Sequence, residues 1–194
     1  MQKITKQQLL TKGFLKVEEA EIEYRDKNKK LHKYTRERLI REEAVAVFIY
    51  NTETNRVILT KQFRFPIADK VEEPVLEIVA GKVSTGEDPM ETALRESLEE
   101  SGYKINKEKL KFIASVFASP GYTSERFYLY YAEVVNGNKV NEGGGLEDEH
   151  EFIEVVEMPM DNFMKLVDKG KIEDCKTLLT ALWVKIHIKR KPNK

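Results

Sequence analysis

Residues 81–103 read GKVSTGEDPMETALRESLEESGY. Asp88 is a candidate helix cap, Pro89 suits the first helical position, where its missing N–H costs nothing, and Gly102 is the terminator. Between them, a 3.6-residue period places Glu96 and Glu100 one turn apart with Glu99 beside them on the same side. Ala93, Leu94, Ser97, Leu98 and Ser101 fall largely on the other sides and are free to pack. Three like charges on one face repel, at roughly a few tenths of a kcal/mol per i,i+4 pair, unless a cation sits among them. Hard oxygen ligands without His or Cys fit Mg²⁺ or Mn²⁺ far better than Zn²⁺, and Mg²⁺ usually shares substrate phosphates, so the pattern points to phosphate chemistry. A glutamate-rich helix face is by itself most often just solvated. The surrounding spacing decides between the two readings.

That spacing is G-x5-E-x7-R-E-U-x-E-E-x-G-U, with U a bulky apolar residue, carried by Gly81, Glu87, Arg95, Glu96, Glu99, Glu100, Gly102 and Tyr103. In this the chain resembles the Nudix hydrolases. Ser97 departs from the pattern, which places an aliphatic residue there; it lies on the packing side, so metal binding is expected to survive. The resemblance implies that Glu96, Glu99 and Glu100, with the backbone carbonyl of Ala80, ligate or closely surround Mg²⁺, with Mn²⁺ as the substitute. It also implies that Arg95 and Glu87 act behind them, a guanidinium holding a carboxylate by a forked pair. The alternative for both is a surface salt bridge.

Outward from the cassette, AVAVFIYN, the turn TETN and RVILTKQF read as a hairpin of strands buried on both faces. Further strands are expected at VLEIVA, KLKFIASVFA, RFYLYYAEVV and EFIEVVEM. Helices are expected at MDNFMKLVDKG, ended by Gly170, and at DCKTLLTALWVKIHIKRK, where Leu178, Leu182, Trp183 and Ile186 form an apolar stripe. The fold class is therefore α+β, and the resemblance implies an α/β/α sandwich, a mixed sheet between helices. Upstream, FLKVEEAEIEYRD and KKLHKYTRERLIR alternate around the turn DKNKK, giving a small N-terminal antiparallel sheet over residues 1–41 that precedes the main domain, 42–194. Some 40 residues cannot bury such a sheet alone, so it should pack on the rest or on a second subunit.

Flanking blocks extend the resemblance over roughly residues 36–185, to the branch that hydrolyses ADP-ribose and nucleoside-diphosphate sugars. They are RERLIREEAVAVFIYN, ILTKQFRFP, LEIVAG, SPGYTSERFYLYYAE, GGGLEDEHEFIEVVEMP and GKIEDCKTLLTALW. Pro120 stands about two residues later than that branch places its proline. Gly143, Gly144 and Gly145, leading a flexible acidic loop, are most similar to GDP-mannose and UDP-sugar pyrophosphatases. A loop glutamate is implied as general base or extra metal ligand. Counting back from FIEVV favours Glu149 and Glu151, counting forward from the glycines favours Glu147 and Glu149, and Glu149 is common to both. Arg36, Arg41 and Arg64 sit where the branch binds its anionic diphosphate, Arg64 foremost, with Glu125 and Arg126 as further substrate contacts. Tyr24, Tyr34 or Tyr122 could stack on a base, whereas His32, His150 and His187 show no ligand spacing. The implied reaction is attack by water on one phosphorus of the diphosphate, with metal ions neutralising its oxygens and a nucleoside monophosphate and a sugar phosphate as products. The branch is also typically homodimeric through the N-terminal sheet, so removing residues 1–40 should break the dimer and weaken substrate affinity.

Composition bounds the alternatives. The chain has 194 residues, 33 Lys+Arg against 33 Asp+Glu and a 41% hydrophobic content, which argues against a disordered tail or a basic nucleic-acid binder. No apolar run approaches the roughly 20 residues of a membrane helix, and the start lacks a signal-peptide core, so a cytoplasmic protein with no membrane partner is expected. The single cysteine, Cys175, excludes a disulfide framework and reads as a small residue at a helix start. Competing readings are an ADP-ribose-specific pyrophosphatase and, from another class, a non-catalytic sensor of ADP-ribose-like ligands. The intact Glu96, Glu99 and Glu100 and the lack of room for a helix-turn-helix argue against the sensor.

Overall fold

The computed structural model describes residues 2–11, 13–146 and 151–188. They form two units. Unit 1 comprises residues 1–43 and 117–126, and unit 2 comprises 44–116 and 127–194.

Unit 1 is a three-stranded antiparallel sheet in the order β1 (Gln2–Leu9), β2 (Lys16–Arg25), β3 (Leu31–Ile40). The β2–β3 hairpin turns at Asp26, whose carboxylate accepts the N–H groups of Asn28 and Lys30 while Lys29 takes φ 64°. The residues 117–126 join the end of β3 through Leu39 N–H to Tyr122 O (2.7 Å) and Ser124 N–H to Leu39 O (3.1 Å). Among the described residues, none of the buried hydrophobic side chains belongs to this unit, and Ile4, Leu9, Phe14 and Leu31 are exposed. β1 lies in a stretch that the alternation of the sequence does not single out, because every one of its residues is exposed.

Unit 2 is built on β4 (Ala44–Asn51), which pairs antiparallel with β5 (Arg56–Lys61) and β7 (Val79–Lys82) and parallel with β9 (Arg126–Val134). β10 (Glu154–Pro159) and β8 (Leu110–Phe117) complete the order β10-β5-β4-β9-β8, and β6 (Leu76–Glu77) pairs with β5. The VLEIVA segment is thus two short strands broken at Ile78. The continuous apolar run of β4 is explained by burial on both faces. Ala46, Phe48 and Tyr50 face a core shared with α2 (Met160–Asp168) and α3 (Cys175–His187), while Val45, Val47 and Ile49 face a second core shared with α1 (Pro89–Ser101). Helices on both sides of a mixed sheet make the expected α/β/α sandwich.

The apolar stripe expected on α3 holds at Leu178 and Trp183, which are partly buried against the core, and is corrected at its other two positions. Leu182 and Ile186 are exposed, and the inward face carries Lys176, Thr177, Thr180, Ala181 and Val184. Polar anchors set the rotation of this helix. Asp174 caps it by accepting the Thr177 N–H (2.9 Å), and the Thr177 hydroxyl accepts the buried N–H of Ile78 (2.8 Å). Cys175 is the first residue of the helix and is exposed.

Candidate active site

Helix α1 starts and stops as its sequence dictates. Asp88 accepts the Met90 N–H (2.8 Å), Pro89 occupies the first position, and Gly102 adopts φ 76° while its N–H caps Leu98 O (3.0 Å). Ser97 is wholly buried and its hydroxyl donates to Ala93 O (2.7 Å). A serine fills the aliphatic slot because its polar group is satisfied within the helix.

The glutamates of this helix are not a solvated face. Glu96 and Glu100 are only 7% and 3% exposed. The Ala80–Gly81 step of β7 is their floor. Ala80 N–H donates to Glu100 Oε2 (3.0 Å), and a Cβ on Gly81 would stand 1.9 Å from Glu96 Cδ, so only glycine admits the Glu96 carboxyl. Arg95 makes four contacts to three carboxylates. Its Nε and Nη2 fork Glu87 at 3.2 and 3.3 Å, and its Nη1 reaches Glu99 Oε2 (2.8 Å) and Glu96 Oε1 (2.9 Å). The motif residues Glu87, Arg95, Glu96 and Glu99 thus form one ion-pair network, and Glu100 adjoins it through the same floor.

Burial, reinforced by Glu96 and Glu151 and opposed by the Ala80 N–H, pushes the Glu100 carboxyl up to about 8. Burial also raises Glu96 to about 7, with Arg95 opposing and Glu99 and Glu151 adding to the rise. Glu87 is instead held below the ordinary carboxylate range by its hydrogen bond to Arg95. Two buried carboxyls that repel one another favour a cation beside them. Among the described residues, no three His, Cys, Asp or Glu side chains converge as they stand on a common ion position. Arg95 Nη1 bridges Glu96 and Glu99. The donor set fits a hard divalent cation, being all carboxylate oxygen with a backbone carbonyl at Ala80 and no sulfur or imidazole.

The glycine run has a role that its composition does not announce. Gly144 N–H donates to Glu100 O (2.9 Å) and Gly145 N–H to Glu99 O (3.2 Å), so the run caps the last turn of α1. Glu151 returns to the same place, its Oε2 accepting the Leu146 N–H (3.4 Å). Glu147, Glu149 and His150 lie outside the described residues.

Arg64 is held by a partner that sequence reasoning missed. Its Nε and Nη2 fork Glu77 at 2.9 and 3.2 Å. Glu77 also accepts from Lys176 Nζ (2.5 Å), which pairs with Asp174 (2.8 Å). Burial alone would raise Glu77, but Arg64 and Lys176 hold it below its ordinary value. Burial would likewise lower Lys176, which Asp174 and Glu77 instead raise. Burial opposes the charge on the Arg64 guanidinium, but Glu77 and, more weakly, Glu100 and Asp174 stabilise it and raise its pKa. A cavity of ≈ 450 Å³ lies beside it, lined by Arg64, Pro66, Ile67, Val71, Glu77 and Cys175 among others. The sequence signal for Glu77 was present in the LEIVAG block, as a lone charged residue inside an apolar run, whereas Lys176 sits in the polar EDCKT stretch and carries no such mark.

The remaining candidates belong to unit 1. Arg36 stacks on Tyr34 (4.6 Å to the ring centroid), Arg41 approaches Glu125 (4.0 Å), and Arg126 approaches Glu43 (3.9 Å) and lies over Phe117. Tyr122 is exposed, and Tyr24 stacks on His32, itself paired with Asp26. His187 stacks on Trp183.

The profile of the NUDIX domain matches residues 40–178. The chain is 32% identical over 178 residues to a GDP-mannose pyrophosphatase of Cronobacter sakazakii, covering 91% of each protein. It is 37% identical over 143 residues to an ADP-ribose pyrophosphatase of Bacillus subtilis, covering 74% of this chain and 72% of that one. It is also 32% identical over 148 residues to a methanol dehydrogenase activator of Bacillus methanolicus, covering 76% and 75%. Among solved structures, one described as an ADP compounds hydrolase superposes with a TM-score of 0.71 at 23% identity, over 95% of this chain and 94% of that one, a likeness of fold. With the cassette of residues 81–103 folded as a capped helix whose glutamates are buried over Gly81, and with this match across most of its length, the chain belongs to the Nudix hydrolase family.

Proposed function

We propose that the chain hydrolyses the diphosphate of a nucleoside-diphosphate sugar, of the GDP-mannose or ADP-ribose kind, in a Mg²⁺-dependent reaction giving a nucleoside monophosphate and a sugar phosphate. The observation that carries this reading is the buried, mutually repelling pair Glu96 and Glu100 over Gly81, with the forked Arg64 in the field of Glu100. Relatives named GDP-mannose pyrophosphatase and ADP-ribose pyrophosphatase support the substrate class.

Glu96, Glu99 and Glu100, with the Ala80 carbonyl, would hold the divalent metal, Mn²⁺ serving in place of Mg²⁺. When bound, it supplies positive charge that neutralises the diphosphate oxygens. Arg95, itself fixed by Glu87, orients the Glu96 and Glu99 carboxylates that would hold the metal. Arg64 uses two of its five N–H donors on Glu77, leaving others to bind a non-bridging phosphate oxygen. A loop carboxylate accepts the proton of the attacking water. Glu149 is the first candidate, with Glu147 and Glu151 as the others, and Glu151 already shares the field of Glu96 and Glu100. Arg36, Arg41, Glu125 and Arg126 are proposed as contacts to the remainder of the substrate.

The reading extends to a homodimer formed through the sheet of unit 1, supported by that unit's lack of buried apolar residues among those described. A cytoplasmic location is also proposed; among the described residues no helix is long and apolar enough to cross a membrane.

The test is phosphate release, coupled to a phosphomonoesterase, from GDP-mannose, ADP-ribose, UDP-glucose and ADP-glucose with Mg²⁺. The expected result is metal-dependent turnover of at least one, abolished by chelator. No turnover on any of them would overturn the proposal.

A further inference from the structure

The three-glycine run is not consumed by metal or substrate binding, yet the backbone is shaped around it. Gly143, Gly144 and Gly145 take φ of 69°, 111° and 77°, a region closed to most side chains. On one side the run meets the end of α1. A Cβ on Gly143 would fall 2.4 Å from Glu100 O, while the N–H groups of Gly144 and Gly145 donate to the carbonyls of Glu100 and Glu99. These are orphan carbonyls of a helix end, and they belong to two of the residues whose carboxylates form the cluster. Val140 N–H to Gly102 O (2.9 Å) fixes the approach to the run.

On its other side the run receives the return of the acidic loop. Gly144 O accepts the Ile153 N–H (3.2 Å), and Glu151 N–H donates to Leu146 O (3.2 Å). The Glu151 side chain occupies the space a side chain at residue 145 would need, since a Cβ there would meet Glu151 Cβ at 2.7 Å and Oε2 at 2.9 Å. Backbone amides thus grip the metal-candidate helix, and the missing side chain of Gly145 seats Glu151.

We infer that Gly143–Gly145 is a positioning clasp, which locks the Glu151 carboxylate to the carbonyl ends of Glu99 and Glu100 and so sets its place relative to the catalytic carboxylate cluster. The inference rests on the proposal that Glu96, Glu99 and Glu100 hold the divalent metal. None of the three glycines is a catalytic residue; they act through Glu151. A flexible acidic loop would have left the position of its carboxylate to diffusion. The clasp instead fixes it to the backbone of the helix that bears the other carboxylates.

The test compares Gly145→Ala with Gly170→Ala in the full-length protein, using Mg²⁺ and whichever diphosphate the protein turns over fastest. Gly170 also has positive φ, 64°, but open space around its Cβ position, so it reports the backbone penalty alone. Gly145→Ala is expected to lower kcat about 100-fold and to raise the Mg²⁺ concentration needed for half-maximal rate, as a misplaced catalytic group does. Gly170→Ala should lower Tm and leave both kinetic quantities unchanged. In a Glu151→Ala background, adding Gly145→Ala should cost less than about 3-fold further, because the two changes act through one contact. Equal kinetics for Gly145→Ala and Gly170→Ala, or additive losses in the double variant, would overturn the inference.

Hydrogen exchange on the wild-type protein gives an independent check should Gly145→Ala not fold. The amides of Gly144 and Gly145 should be protected to the same degree as that of Gly102, and exchange at open-loop rates would overturn the clasp. Failure of the underlying metal proposal looks different, as unchanged turnover in Glu99→Gln.

Discussion

Replacing Glu100 by glutamine separates the charge of this carboxyl from its shape. Gln retains an oxygen to accept the Ala80 N–H and fits the same space, so the variant tests what ionisation costs in the metal-free protein. In the fold the Glu100 carboxyl lies at about 8, against an ordinary 4.5. Between those values the folded protein keeps a proton that the unfolded chain has released. Native stability is therefore full below the unfolded value and is lost as pH rises toward the folded one. At about 1.4 kcal/mol per unit, Glu100 alone would cost about 4 kcal/mol near pH 8 and below about 1 kcal/mol near pH 5. Glu96 shares the repulsion, so the realised cost is on the order of 2–4 kcal/mol. Urea denaturation in chelator should show Glu100→Gln more stable than wild type by that amount near pH 8, the gap closing toward pH 5. With Mg²⁺ the order should reverse, because the variant lacks a metal ligand. A variant no more stable than wild type near pH 8, or a gap indifferent to pH, would refute the buried-charge reasoning.

Two further outcomes follow from geometry. Gly81→Ala would place a Cβ 1.9 Å from the Glu96 carboxyl carbon and drive that carboxyl off its floor, so kcat should fall about 100-fold while circular dichroism shows a folded protein. Full activity in this variant would contradict the cradle. Lys176→Met leaves Glu77 buried with Arg64 as its remaining partner and should destabilise the fold by about 3–5 kcal/mol in urea denaturation, a loss below about 1 kcal/mol arguing against the network.

Helix α1 was legible in the sequence because its signals are local: a cap at Asp88, Pro89 and Gly102, and a spacing of charges within one turn. The sandwich was legible because β4 and its neighbours carry apolar residues on both faces. What periodicity could not show was which polar residues turn inward. Glu96 and Glu100 read as a charged face, yet they are buried because Ala80 and Gly81 provide an N–H and a missing side chain on another strand. On α3 a hydrophobic count favoured Leu182 and Ile186, whereas Asp174, Lys176 and Thr177 anchor the helix through Glu77 and Ile78 and rotate those side chains outward. The glycine run read as loop flexibility, but its donors complete a helix end 40-odd residues earlier in the chain, a non-local pairing that composition does not encode.

The carboxylate cluster as the seat of diphosphate hydrolysis is tested most directly by Glu99→Gln, assayed for turnover of the four nucleoside-diphosphate sugars at saturating Mg²⁺. Glu99 is the least buried of the three and pairs with Arg95, so its neutral isostere leaves the fold intact. The account predicts a fall in kcat of roughly three orders of magnitude or more with little change in Tm. Turnover near the wild-type rate on every diphosphate would contradict it.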